Sequence, residues 1–317
     1  MSQVAESSLV EKTLNENRLR GGNAIKLSGN DKAFQIFITS YLIFAMLIVL
    51  YPLIYVVSCS FSSSLAVIGG RVFLWPVEPN IEGYKAVFRN SQLISGFANA
   101  FAYMIMGTVV SVTMTVATGY VLSRKDMYGR GVLTFLFTFT MLFSGGMIPL
   151  YLVVRATGLY NTRAAMVIPN AIGVWYLIIG RTYFQNNVSD ELCDAAELDG
   201  CSDIGFLLRI VIPLSGSIIA VLSLFYAVGL WNSYFDALMY LKSQNLWPLQ
   251  IILRNILIQS EISAEMLTDV AILERWQGLK DLIKFSVIVI SSLPMLIIYP
   301  FVQKYFIQGI MVGALKG

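Results

Sequence analysis

Long stretches without a single charged side chain constrain this sequence more than any other feature. Six of them approach or exceed the roughly 20 apolar residues that an α-helix needs to cross the hydrocarbon core of a bilayer. They are 33–58, a part of 91–123, 131–154, 164–180, 210–235 and 285–303. Only 13% of the 317 residues are charged, against about 25% in a soluble domain, and the charges cluster between these stretches. Backbone polar groups in lipid must be satisfied within the segment that carries them. The sequence therefore predicts an all-α, polytopic membrane protein with six transmembrane helices. The fourth segment has 17 residues and needs Arg163 and Arg181 to reach toward opposite surfaces.

Residues 1–32 are polar and read as a cytoplasmic tail, and 33–317 as the membrane domain. The first apolar segment lies too far from Met1 for a cleaved signal peptide. Short loops carry the orientation signal, and "SRKDMYGRG" places Arg124, Lys125 and Arg130 between spans two and three. Both termini are thus expected inside, with 59–90, a turn near 155–163 and 236–284 outside. The helical-looking "SAEMLTDVAILERWQGLKDLIKF" belongs to the last of these outer pieces.

Several chemistries drop out. There is no histidine, so a Ser-His-Asp triad, a His-ligated metal and an imidazole proton relay are excluded. Cys59, Cys193 and Cys201 lack metal-site spacing. No phosphate-binding G-x-x-x-x-G-K-[ST] loop is present. A net charge of +3, scattered along the chain, argues against nucleic acid. "FSGG" at 143–146 lies in an apolar span, where Gly145 and Gly146 with Pro149 predict a local break. No Asp, Glu, Lys or Arg falls mid-span, which argues against ion coupling. What remains is a path of neutral polar and aromatic side chains, suited to an uncharged substrate. Its candidates are Tyr103, Asn170, Trp175, Tyr176, Tyr226, Trp231 and Asn232.

Against this background "CDAAELDGCSDIGFLLRIVIPLS", residues 193–215, stands out as acidic and glycine-punctuated. Ser189 can N-cap a helix with Asp190 and Glu191 in its first turn. Leu192, Ala195, Ala196 and Asp199 fall at i, i+3, i+4 and i+7 and are expected on one face. Gly200 suits the left-handed position that ends a helix. Ser202 can cap the next helix, where Ile204, Leu207, Leu208 and Val211 repeat the spacing before Pro213. The result is a helix–turn–helix at about 185–212, on the cytoplasmic surface between spans four and five.

This stretch resembles the EAA motif, E-A-A-x-x-D-G, of permease subunits in binding-protein-dependent ABC importers. Ala195, Ala196, Asp199 and Gly200 match, Phe206 takes the aromatic position, and Pro213 the following proline. "GLWNSYFDALMYL", "FSGGMIPLYLVV" and "KYFIQGIMVGALKG" are similar to the carbohydrate-uptake, maltose-type branch and its oligosaccharide subgroup. Two positions depart: the leading Glu is Asp194, and a proline often found near 217 is Ser217.

The resemblance implies a permease moving a sugar by alternating access across a bacterial plasma membrane, in contact with membrane lipid. It implies ATPase coupling through Asp194, Ala195, Ala196, Asp199, Gly200 and Phe206. The implied partners are a homologous second permease, two cytoplasmic ABC ATPase subunits and an extracytoplasmic sugar-binding protein. ATP and Mg would be bound by the ATPases, and no cofactor or catalytic residue is expected in this chain. The competing readings are an ion-coupled secondary transporter or channel for a small neutral solute, and a membrane enzyme using the acidic cluster.

Overall fold

The computed structural model describes residues 29–262 and 270–314, and among them every regular element is helical. The chain divides into two compact units, Met1–Ile54 and Tyr55–Gly317. The described part of the first unit belongs to α1 (Gly29–Ser60), with Asp31 in its first turn, where negative charge is favourable. The helix therefore takes in four residues that the sequence placed in the tail, and residues 1–28 lie outside the described residues.

The second unit is built from α2 (Ser64–Ile68), α3 (Glu82–Arg89), α4 (Ser91–Ser123), α5 (Arg130–Leu142), α6 (Met147–Ala156) and α7 (Val174–Asn187). There follow α8 (Asp190–Leu198), α9 (Asp203–Leu214), α10 (Gly216–Trp231), α11 (Tyr234–Tyr240), α12 (Leu249–Ile262) and α13 (Val270–Ala314). At 33 residues, α4 is about 50 Å long. It forms the axis of the unit and packs against α7, α10 and α12. Close packing is possible because Gly96, Ala100, Gly107, Ser111, Thr115 and Gly119 are buried along it. In hydrocarbon, where apolar surface has no water to escape, such small residues let backbones approach and gain dispersion contacts. At Gly119 a Cβ would lie 3.2 Å from the Arg181 backbone nitrogen.

The polytopic helical fold is as expected, while the exact count of six spans is not confirmed. Among the described residues, three helical stretches are long and apolar enough to cross a membrane, namely Asn30–Ser60, Ser91–Ser123 and Lys280–Pro300. Two further pairs qualify only as bent units: α5 with α6, at 117°, and α9 with α10, at 83°. The first bend falls at the expected glycine break, with Gly146 at φ +85°. The second falls at Ser215, two residues after Pro213.

The fourth expected span, 164–180, is not a continuous helix. It begins as a 3₁₀ turn (Arg163–Met166), passes through irregular backbone, and becomes helical at Val174. Pro169 disfavours helix at the residue before it and removes a donor. Arg181 reaches the end of α4 nearest the hairpin. Its Nε donates to the Leu122 carbonyl at 3.1 Å, one of the four carbonyls that the end of α4 leaves without an intrahelical partner.

The outer piece 59–90, which shows no period over its length, folds as α2 and α3. Gly83 of α3 packs so close to Leu282 and Ser286 of α13 that a Cβ would clash with the Leu282 carbonyl. Of the helical-looking outer stretch, residues 263–269 lie outside the described residues. The side chains of "KYFIQGIMVGALKG" at the far end of α13 do so as well.

Candidate functional site

The hairpin between α7 and α10 is fixed by its own backbone. Ser189 Oγ accepts the Leu192 N–H at 3.3 Å, and Ser202 Oγ accepts the Gly205 N–H at 3.2 Å. Gly200 sits at φ +73°. Its N–H donates to the Glu197 carbonyl and that of Cys201 to the Ala196 carbonyl, each at 2.9 Å. This is the paired bonding that closes a helix through a left-handed residue. All three local signals read from the sequence are therefore in place.

The two faces are divided differently from expectation. In α8 it is Leu192, Cys193 and Ala196 that pack inward, with Ala196 only 8% exposed, whereas Ala195 and Asp199 face solvent. In α9 the inward residues are Phe206, Leu207, Ile210 and Val211, and Ile204 and Leu208 are exposed. A π-helical turn over Leu207–Val211 contributes to the second difference beyond Leu207, whereas Ile204 precedes it. Such a turn bonds i to i+5 and so shifts the phase of the following side chains. Pro213 sits just beyond, where its ring crowds the carbonyl of Arg209 and no N–H is available to bond it.

The inward residues meet the ends of α4 and α7. Phe206, 3% exposed, has its ring centroid 6.3 Å from that of Tyr120, which in turn packs edge-on to Phe184 at 6.2 Å. These partners, Tyr120 and Phe184, went unnoticed in the sequence, because nothing local marks one apolar aromatic as the seat of another. Arg124 lies one turn beyond Tyr120. It pairs with Asp126 at 2.7 Å and donates to the Tyr120 hydroxyl at 3.4 Å. That pairing holds the Asp126 carboxyl below the usual range, and burial pushes the Cys193 thiol up. Lys125 reaches Asp190 at 2.6 Å. Beside the joint is a cavity of 540 Å³ lined in part by Arg124, Asn186, Asp190 and Cys193.

The solvent face of the hairpin carries Asp194, Ala195, Glu197, Leu198, Asp199, Gly200 and Asp203. Leu198 is 89% exposed at its tip. Acidic side chains thus surround an exposed leucine on a capped hairpin, an arrangement chemically able to receive a partner surface. Its apolar centre gains by burial, and its rim favours a basic partner surface.

The seven path candidates are scattered in role. Tyr176 and Tyr226 come together, with ring centroids 4.8 Å apart. The Tyr226 hydroxyl bridges Thr115 Oγ1 at 2.6 Å and accepts the Gly173 N–H at 3.0 Å. It thus satisfies backbone where α7 starts partway along the bundle, as irregular structure at membrane depth requires. Thr115 and Gly173 were not among the candidates. Asn170 donates to Asp236 at 3.2 Å, and Trp175 is 62% exposed. Two candidates are core instead. Tyr103 is buried and donates to the Leu246 carbonyl at 2.8 Å, while Trp231 is buried and donates to the Ser291 carbonyl at 3.2 Å. Asn232 is exposed and donates to its own helix at Val228.

A helical bundle with broken spans, a small-residue axis and an exposed acidic hairpin at one end is a polytopic helical permease fold. No protein-family model matches the chain. It is 38% identical over 290 residues to the polygalacturonan/rhamnogalacturonan transport system permease protein YtcP of Bacillus subtilis (strain 168), covering 90% of this chain and 99% of that one. It is 26% identical over 279 residues to the arabinooligosaccharides transport system permease protein AraQ of Halalkalibacterium halodurans, covering 86% and 94%. A crystal structure of a bacterial ABC transporter involved in the import of the acidic polysaccharide alginate superposes with a TM-score of 0.80. That chain is 33% identical, and the match covers 88% of this chain and 98% of that one. The chain belongs to the permease subunits of ABC transport systems. Nothing in these likenesses supports an ion-coupled carrier.

Proposed function

We propose that the chain is one of two homologous permease subunits of an ATP-driven saccharide importer, acting on oligosaccharides by alternating access. The hairpin of α8 and α9 carries the proposal. It buries Ala196 and Phe206 in the bundle while presenting Asp194, Ala195, Leu198, Asp199 and Gly200 outward. A cytoplasmic ABC ATPase closing on ATP and Mg would push this knob, and the push would pass through Phe206, Tyr120 and Phe184 to α4 and α7. An extracytoplasmic binding protein would deliver saccharide at the opposite end. Both termini are then cytoplasmic in a bacterial plasma membrane, with Arg124, Lys125, Arg130 and Arg209 on the inner side, as the charge rule favours. Tyr176 and Tyr226 would face the path between the two subunits, and Asn170, Trp175 and Asn232 its outer part.

The test is co-purification of the assembled complex and measurement of its ATP-driven saccharide uptake. Asp199→Arg and Leu198→Glu are expected to release the ATPase while leaving the permease in the membrane at normal yield. Retention of the ATPase and of uptake in both variants would refute the docking role. Saccharide uptake by the permease in liposomes without ATPase would refute the importer reading altogether.

A further inference from the structure

The end of the bundle away from the hairpin carries charge that transport of a neutral sugar does not require. Residues 155–175 and 232–256 meet there and contain Arg155, Arg163, Lys242 and Arg254 against a single acid, Asp236. All four cations are exposed, and none forms an ion pair among the described residues.

Two of the four are held in place. Arg163 donates from Nη2 to Asn99 Oδ1 at 3.4 Å, and Asn99 is itself buried and tied to the carbonyls of Asn245 and Trp247 at 2.8 and 3.1 Å. With the Tyr103 hydroxyl also beside it, the guanidinium keeps open donors among its five. Lys242 is positioned by Asn161, whose side-chain oxygen accepts the N–H groups of Lys242 and Ser243, each at 2.9 Å. Asn161 adopts φ +59°, and its own N–H bonds the Tyr240 carbonyl at 2.8 Å. The turn bearing Arg163 and the turn bearing Lys242 are thus interlocked.

We propose that this mouth selects an anionic saccharide, one built of uronic acid units, with Arg163 pairing a sugar carboxylate and Lys242 supporting it. The inference rests on the importer reading above and adds the substrate class. A guanidinium with open donors matches a carboxylate through two parallel hydrogen bonds. A mouth of net positive charge also raises the local concentration of anions. The charge-free spans do not oppose this assignment, since they set the path after the mouth has chosen.

The alternative occupant of a basic mouth is an acidic patch on the binding protein, and the experiment separates the two. The assembled importer, in nanodiscs and without binding protein, is titrated with trigalacturonic acid and with its trimethyl ester. The acid is expected to bind more tightly than the ester, and salt should weaken only the acid. Arg163→Gln should weaken acid binding about three- to tenfold, leave the ester unchanged, and leave binding-protein docking unchanged. Arg163→Lys should restore most of the loss. Equal binding of acid and ester by the wild type would overturn the inference, as would loss of binding-protein docking in Arg163→Gln. In both cases ATP-driven uptake of a neutral oligosaccharide would leave the importer reading standing. Absence of any ATP-driven saccharide uptake would instead overturn that reading and this inference with it.

Discussion

Phe206→Ala should separate ATP hydrolysis from transport. The ring is 3% exposed and sits among Tyr120, Phe184, Ala196 and Val211. Removing a buried phenylalanine costs about 3–5 kcal/mol, made of lost transfer energy and the cavity left behind. Even the lower figure shifts the balance between a seated and an unseated hairpin by roughly a hundredfold. The hairpin itself should survive, because its caps at Ser189 and Ser202 and its turn at Gly200 do not involve the ring. Its outward face would still engage the ATPase. In proteoliposomes we expect ATP hydrolysis to remain above about half of the wild-type rate while uptake per ATP falls by an order of magnitude or more. Phe206→Leu keeps most of the volume, should cost less than about 1.5 kcal/mol, and should stay coupled. Unchanged uptake per ATP in Phe206→Ala would refute the transmission argument. Loss of ATPase co-purification would place Phe206 in docking instead.

Three further outcomes follow from the geometry. Gly200→Ala meets no atom within 4 Å but must adopt φ +73°; it should cost about 1–2 kcal/mol, lower uptake modestly, and be clearly milder than Gly200→Val, as a paired uptake assay would read. Tyr226→Phe leaves the Gly173 N–H and Thr115 Oγ1 without their shared partner, so thermal unfolding in detergent should report a loss of about 1–3 kcal/mol. Burial raises the Asp236 carboxyl above its usual range, and the hydrogen bond from Asn170 only partly opposes this. The folded state therefore binds the proton more tightly, and the ionised group detracts from stability once pH exceeds its unfolded value of about 3.9. Asp236→Asn should raise the melting temperature at pH 8 and give no gain near pH 4; an equal gain at both would refute the assignment to charge.

Local signals in the sequence carried through, and signals that depend on distant partners did not. Ser189, Gly200 and Ser202 act within five residues of themselves, so their roles were legible. The face of α8 differs because spacing groups residues on a stripe without saying which edge of it meets the bundle, and periodicity in α9 assumes an uninterrupted α-helix. The π turn before Pro213 breaks that assumption. Mean hydropathy is blind to bends, so the length of the apolar segments hid the break at Ser215 and the irregular backbone before Val174, although Pro213 and Pro169 mark both. Trp231 and Tyr103 look like path-lining aromatics in sequence. Their partners, the carbonyls of Ser291 and Leu246, lie 60 and 143 residues away.

The length of α4 has a mechanical consequence. At about 50 Å it exceeds the roughly 30 Å hydrocarbon layer, so it cannot lie wholly in lipid. Tyr120 near one end seats the hairpin, and Asn99 and Tyr103 near the other hold the loop that bears Arg163 and the loop that follows Lys242. Those two attachment points are some 25 Å apart along the helix. A tilt of about 10° around the middle of α4 would carry its two ends roughly 4 Å in opposite directions. The helix is a lever with its fulcrum in the bilayer, and a stroke delivered on the ATPase side would be returned, reversed, at the mouth.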